Sequence, residues 1–174
     1  IVCSPDGKSL FVTNYAADKV SVVDTARRLV ETEIPVGDLP VGITMNNDGS
    51  KIYVANSWSG TVSVIETKSK SVHATIPAGK WPDVPTLDPM NRFLYVSNWG
   101  NAANGGTNSV TVIDTDSEQP IGSIPVGTNP NGVDVGPEGK FLYVVNRESN
   151  NLFIVEIATR NVVAKVPLGK SPQR

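Results

Sequence analysis

One phrase recurs along the chain and limits its folding more than any other feature. Phe11-Val12-Thr13-Asn14 returns as Tyr53-Val54-Ala55-Asn56, then as Tyr95-Val96-Ser97-Asn98 and Tyr143-Val144-Val145-Asn146. The steps between the asparagines are 42, 42 and 48 residues. A second anchor, Ile34-Pro35-Val36-Gly37, returns at Ile76, Ile124 and Val166 with steps of 42, 48 and 42. The two series agree if one unit carries six extra residues between Asn98 and Val110. Self-similarity at a fixed period of this length is the mark of a stacked repeat architecture.

Each unit reads as four short strands, a to d. Strand a is a brief apolar stretch before a turn such as SPDG, NNDG or GPEG; the third unit departs, with LDPMN at Leu87–Asn91. Asp-Gly and Pro-Asp-Gly supply the backbone angles of tight turns. Strand b (KIYVAN) and strand c (TVSVIE) are apolar on both faces, as strands covered on both sides must be. In strand d, Val72, Ala74 and Ile76 alternate with Ser71, His73 and Thr75, which predicts one covered face and a polar outer edge. Four strands per roughly 40–45 residues, with b and c doubly covered, predict β-propeller blades, each needing a neighbour on both flat sides. The fold class expected is all-β: four-stranded antiparallel blades over approximately 1–42, 43–84, 85–132 and 133–174. No segment has a helical period, and a sandwich would not repeat its sequence.

The YVAN, YVSN, YVVN and FVTN motifs, each followed by VSVID-like and IPVG-like strands, resemble the YVTN-repeat β-propellers along the whole chain. That resemblance implies an exported or cell-surface protein, extracellular or periplasmic, such as a surface-layer scaffold. It also implies a ring of seven blades, of which four would be present; a four-bladed closure is the alternative. Relatives of this kind include amine-dehydrogenase heavy chains and propeller lactonases, so a propeller subunit or domain of an enzyme is a second reading. Ile1 aligns with Ile43 and Arg174 with Gly132, so the chain is expected to be four whole units of something longer. An arc of blades would leave apolar faces at its two ends, which makes self-association a third reading.

Composition removes several classes of function. Charged residues are 18% of the chain and the net charge is −2, with no basic block, so nucleic acid is not an expected partner. No run of 18 apolar residues is present, so no transmembrane segment is expected. A single cysteine, Cys3, excludes a disulfide framework, and a single histidine, His73, excludes multi-histidine metal centres. No nucleophile elbow, phosphate loop, dinucleotide fingerprint or calcium loop occurs, so no catalytic residues, metal site or cofactors are expected.

If a binding site exists, its place is the face formed by the b–c and d–a loops. All three tryptophans fall there, Trp58, Trp81 and Trp99, with Asp83, Asn129, Asn131 and Arg147. The inserted segment of the third unit adds Asn101 and Asn104. Tryptophan in loops is typical of contact surfaces, and asparagine gives adaptable hydrogen bonding, which points to a protein or glycan partner. The competing reading is that the tryptophans cap blade junctions and the asparagines serve left-handed turns. Tyr53, Tyr95 and Tyr143 are expected to be equivalent core residues, Cys3 a small core side chain and His73 a surface residue. Asp134 is expected on a channel-lining strand.

Overall fold

A computed structural model describes residues 1–100 and 105–173. It forms four antiparallel sheets of four strands, each sheet from one unit. The first blade is β1 (Val2–Cys3), β2 (Ser9–Asn14), β3 (Lys19–Asp24) and β4 (Leu29–Pro35). The second is β5 (Pro40–Met45), β6 (Lys51–Asn56), β7 (Thr61–Glu66) and β8 (Ser71–Pro77). The third is β9 (Pro82–Leu87), β10 (Phe93–Asn98), β11 (Ser109–Asp114) and β12 (Gln119–Pro125). The fourth is β13 (Pro130–Val135), β14 (Phe141–Asn146), β15 (Asn151–Glu156) and β16 (Asn161–Pro167). Every pairing joins strands consecutive in sequence, and the described residues contain no helix. Strand a is innermost, since β5, β9 and β13 run beside one another.

The core is three hydrophobic layers, one between each pair of successive blades. Phe11, Val20, Val22 and Ile34 of the first blade meet Ile52, Val54 and Ile65 of the second. Tyr53, Ala55, Val62 and Val64 of the second meet Leu94, Val96 and Ile113 of the third. Tyr95, Val110, Val112 and Ile124 of the third meet Leu142, Val144 and Val155 of the fourth. Strands alternate their side chains, so odd and even positions of b and c serve different interfaces. Among the described residues no such layer joins the fourth blade to the first, so the four blades form an open arc rather than a four-bladed closure.

Two expectations change at the ends of that arc. Cys3 is exposed rather than core, because its side of the first blade is not packed by any of the four blades described. Tyr143 is only half-buried, whereas Tyr53 and Tyr95 are each 2% exposed, because the layers that cover those two have no counterpart over Tyr143 among the described blades. A third change lies in strand d. Each c–d pairing skips one residue, Glu31, His73, Ile121 or Val163, so each d strand carries a β-bulge. A bulge reverses the side-chain phase beyond it. Val72 therefore packs with the layer before its blade, while Ala74 and Ile76 pack with the layer after it. The bulges also bend the outer edge and turn the skipped residues outward, which discourages edge-to-edge pairing.

Candidate functional site

The b–c and d–a turns meet on one face, and a repeated set of hydrogen bonds fixes them there. The turn leaving one blade accepts from the first amide after strand b of the next: Ser57 N–H to Leu39 O (2.8 Å), Trp99 N–H to Trp81 O (2.8 Å) and Arg147 N–H to Asn129 O (2.9 Å). Beneath them sits the repeated asparagine. Nδ2 of Asn98 donates to Ser109 Oγ (3.1 Å) and Thr111 Oγ1 (2.8 Å), and Gly79 N–H donates to its Oδ1 (3.1 Å). Asn56 makes the matching bonds to Thr61 Oγ1 (3.1 Å) and Ser63 Oγ (2.9 Å). The preceding glycine must lack a side chain: a Cβ at Gly37, Gly79 or Gly127 would fall 2.8, 2.3 or 2.6 Å from Asn56, Asn98 or Asn146. The Asn and Gly of the repeat are thus two halves of one clamp between blades.

Each d–a turn contains a left-handed residue: Leu39, Trp81, Asn129 and Ser171, with φ of 51°, 56°, 59° and 50°. Such a φ is unfavourable for a bulky side chain. In three blades the amide of that residue is held by a side chain from the b–c turn. Asp18 accepts from Leu39 (2.9 Å), Asn108 from Asn129 (3.1 Å) and Asn150 from Ser171 (2.8 Å). The second blade has Gly60 at this position, with φ 66° and no side chain to offer. There the face opens into a cleft of about 430 Å³, floored by Gly60, Ala78 and Gly79 and walled by Trp58 and Trp81. Ser57, Ser59 and Lys80 complete its lining.

The three tryptophans converge on this spot. The Trp58 and Trp81 ring centroids lie 4.9 Å apart at 73°, and those of Trp81 and Trp99 lie 6.2 Å apart at 80°. Edge-to-face packing of this kind is a favoured aromatic geometry. Trp58 remains 63% exposed, so it is not a buried junction cap. On the other side of Trp81 and Trp99 lies a second hollow of about 270 Å³, lined also by Tyr15, Val41, Ser57, Asp83 and Arg147. Asp83 accepts a hydrogen bond from Asn131 Nδ2 (2.9 Å) across the third and fourth blades.

Of the residues singled out from sequence, Trp58, Trp81, Asp83, Trp99, Asn131 and Arg147 are brought together on this face. Asn129 sits apart in role: it is 3% exposed, occupies the left-handed turn position and donates to Glu148 Oε1 (3.1 Å). Asn101 and Asn104 lie outside the described residues. Sequence reasoning passed over Gly60, Ser57, Ser59 and Lys80. Gly60 carried a legible signal, being the one glycine in a column of Asp and Asn.

The opposite face behaves as turn chemistry. Hydrogen bonds from Ser4 and from the Lys8 amide hold the Asp6 carboxyl below its ordinary range, and Ser50 does the same for Asp48. The Ser117 amide and hydroxyl lower Asp114. Among the described residues no three His, Cys, Asp or Glu side chains gather as metal ligands, and no helix is long and apolar enough to cross a membrane. Asp134 is exposed on β13, its carboxylate accepting from the Val135 amide (2.9 Å). His73 lies on the outer edge between Glu66 (3.6 Å) and Glu118 (3.4 Å).

Residues 91–174 match the family model of YNCE-like β-propellers. The chain superposes on Kuenenia stuttgartiensis hydrazine synthase with a TM-score of 0.86 at 30% identity, over 94% of this chain and 47% of that one. It superposes on a candidate 6-phosphogluconolactonase of Bacteroides uniformis with a TM-score of 0.82 at 20% identity, over 98% of this chain and 55% of the other. A Bacteroides fragilis protein described in the same way gives 0.82 at 22% identity, again over 98% and 55%. The chain therefore spans about half the length of each of these three solved chains. No curated protein matches it. The repeat, the sheet topology and the family model agree that this chain belongs among the β-propellers.

Proposed function

We propose that the chain is a non-catalytic propeller platform that captures a protein or glycan partner on its tryptophan face, as part of an exported or cell-surface protein of the YVTN-repeat kind. The observation that carries this reading is the cleft at Gly60. The side-chain hydrogen bond that holds the left-handed turn residue in the three other blades is missing there, and two tryptophans wall the gap. Exposed aromatic rings beside hydroxyl and amide groups suit a ligand with both apolar and polar faces. Such anchors dominate binding energy where they occur. Oligosaccharide arrays test the glycan form, and binding to defined cell-envelope proteins tests the protein form. Trp58→Ala and Trp81→Ala should each weaken binding at least tenfold. Undiminished binding in both variants, with the fold intact, would remove the reading.

A second reading treats the chain as the propeller part of an enzyme. The 30% identity with hydrazine synthase over 94% of this chain favours it, and so does likeness of fold to the two lactonase candidates. Hydrolysis of 6-phosphogluconolactone above the buffer rate, abolished by changes at Asp83 or Arg147, would support it. No turnover would remove the lactonase version.

A further inference from the structure

We propose that the cleft at Gly60 takes an acidic saccharide, with the carboxylate of a uronic acid ring seated between the Trp81 backbone amide and the Lys80 ammonium; this rests on the platform reading above and names the class of its ligand.

The seat for the carboxylate is visible in the other blades, where the chain fills it with an oxygen of its own. Asp18 Oδ1 accepts from the Leu39 N–H (2.9 Å), Asn108 Oδ1 from the Asn129 N–H (3.1 Å) and Asn150 Oδ1 from the Ser171 N–H (2.8 Å). One of these three groups is a carboxylate, so the turn accommodates that chemistry. In the second blade Gly60 offers no side chain, and the Trp81 N–H has no acceptor among the described residues. A backbone donor left without a partner favours a ligand that brings an acceptor. Gly60 and Trp81 both line the cleft, so the empty seat opens into it.

Charge decides which acceptor fits best. Lys80 is the one charged residue in the lining, and no carboxylate pairs with it among the described residues. Charge-assisted hydrogen bonds are roughly twice as strong as neutral ones. An ammonium on the residue next to an unmet amide therefore selects a carboxylate over a neutral carbonyl.

The rest of the lining suits a sugar ring better than a peptide. Every lining residue lies in the turns 57–60 and 78–81, between strands, so no strand edge is offered for a peptide to extend. The walls are the Trp58 and Trp81 side chains, and a pyranose ring has C–H faces to lay on such rings and hydroxyls around its rim. Ser57 Oγ has no partner among the described residues, and Ser59 Oγ only accepts, from the Asp38 amide (2.7 Å). Both hydroxyls are thus left to donate to sugar oxygens. The volume of about 430 Å³ falls in the range of small-ligand sites, roughly 300–1,000 Å³.

Calorimetric titration of the whole chain tests this with trimers of galacturonate, glucuronate and mannuronate, each beside its carboxyl-reduced neutral twin. At least one acidic trimer should bind at least tenfold more tightly than its twin, and the preference should shrink as salt rises. Lys80→Gln should bring the acid down to the level of the neutral sugar, and Lys80→Arg should keep the preference. Gly60→Asp puts the chain's own carboxylate in the seat and should abolish uronate binding, with thermal melting unchanged in all three variants. A neutral twin that binds as tightly as the acid, or a preference that survives Lys80→Gln, overturns the proposal. An acetylated and amidated Gly-Asp-Gly peptide held as tightly as the best uronate overturns it too, by placing the carboxylate on a protein partner. If no uronate binds while another partner is held through Trp58 and Trp81, this proposal falls and the platform stands. Uronate binding that survives both Trp58→Ala and Trp81→Ala lies outside the cleft and overturns both.

Discussion

The second and third blades and the first and fourth are written in nearly the same letters, yet they are not equally folded. In β6 the run from Ile52 to Asn56 is buried throughout, and in β10 so is the run from Leu94 to Asn98. In β14 burial alternates residue by residue, and in β2 only Phe11 is buried. The difference is not propensity, because Tyr143 stands in the same motif as Tyr53. It is the presence or absence of a neighbouring sheet. A blade's flat face becomes core only when another blade lies on it, so in a propeller the stability of a residue is a property of the seam and not of the strand.

The sharpest way to break this comparison is to truncate the equivalent tyrosines. Tyr53→Ala and Tyr95→Ala should each cost about 3–5 kcal/mol, the range for removing a large buried ring. Tyr143→Ala should cost less than half as much, measured by urea unfolding. Equal losses at all three sites would mean that end and inner blades are packed alike. The glycines give the next contrast. Gly79→Ala places a methyl group 2.3 Å from the Asn98 side chain and should cost about 1–3 kcal/mol, as overpacking does. Gly169→Ala meets nothing and should be neutral, or stabilise slightly by restricting the unfolded chain.

Alkali should separate the seams in a third way. Burial pushes the Tyr53 and Tyr95 hydroxyls up to about 12 from 10. The unfolded chain loses these protons first, so their contribution to stability is complete below pH 10 and is lost as pH rises from 10 through 12. An absorbance titration of tyrosinate should show two groups ionising late, together with the onset of unfolding. Two-step ionisation that leaves the circular dichroism unchanged past pH 12 would contradict it.

What the sequence made legible, and what it hid, follows the same line. The strands, the turns and the blade fold were readable because the repeat states them four times, and a period is a statement about stacking. The core assignment was readable only for inner blades, since a motif cannot announce whether a neighbour is there. Cys3 and Tyr143 are less buried than their motif positions imply because none of the four blades described packs over them. The face change of Val72 was hidden because a bulge of one residue leaves the alternation of letters intact while reversing its meaning. The tryptophan face was legible as a collection of unusual loop residues. Its cleft was not, because the cleft is made by something missing: the side chain that Gly60 lacks.

That absence gives the mildest and most selective test. Restoring the missing side-chain hydrogen bond with Gly60→Asn copies what Asn108 and Asn150 do in the third and fourth blades. The backbone there, at φ 66°, suits asparagine better than any other side chain. A new Cβ would lie 3.5 Å from the Gly79 carbonyl oxygen, an ordinary contact. The amide side chain could then accept from the Trp81 N–H, as its counterparts do, and the gain of one hydrogen bond should roughly balance the lost freedom of glycine. Stability should change by less than about 1 kcal/mol. The cleft between Trp58 and Trp81, however, would be filled. If the face works through that cleft, Gly60→Asn must reduce partner binding while leaving thermal melting where it was. Binding that survives would move the contact from the cleft to the exposed edge of Trp58, or to the second hollow beside Asp83 and Arg147.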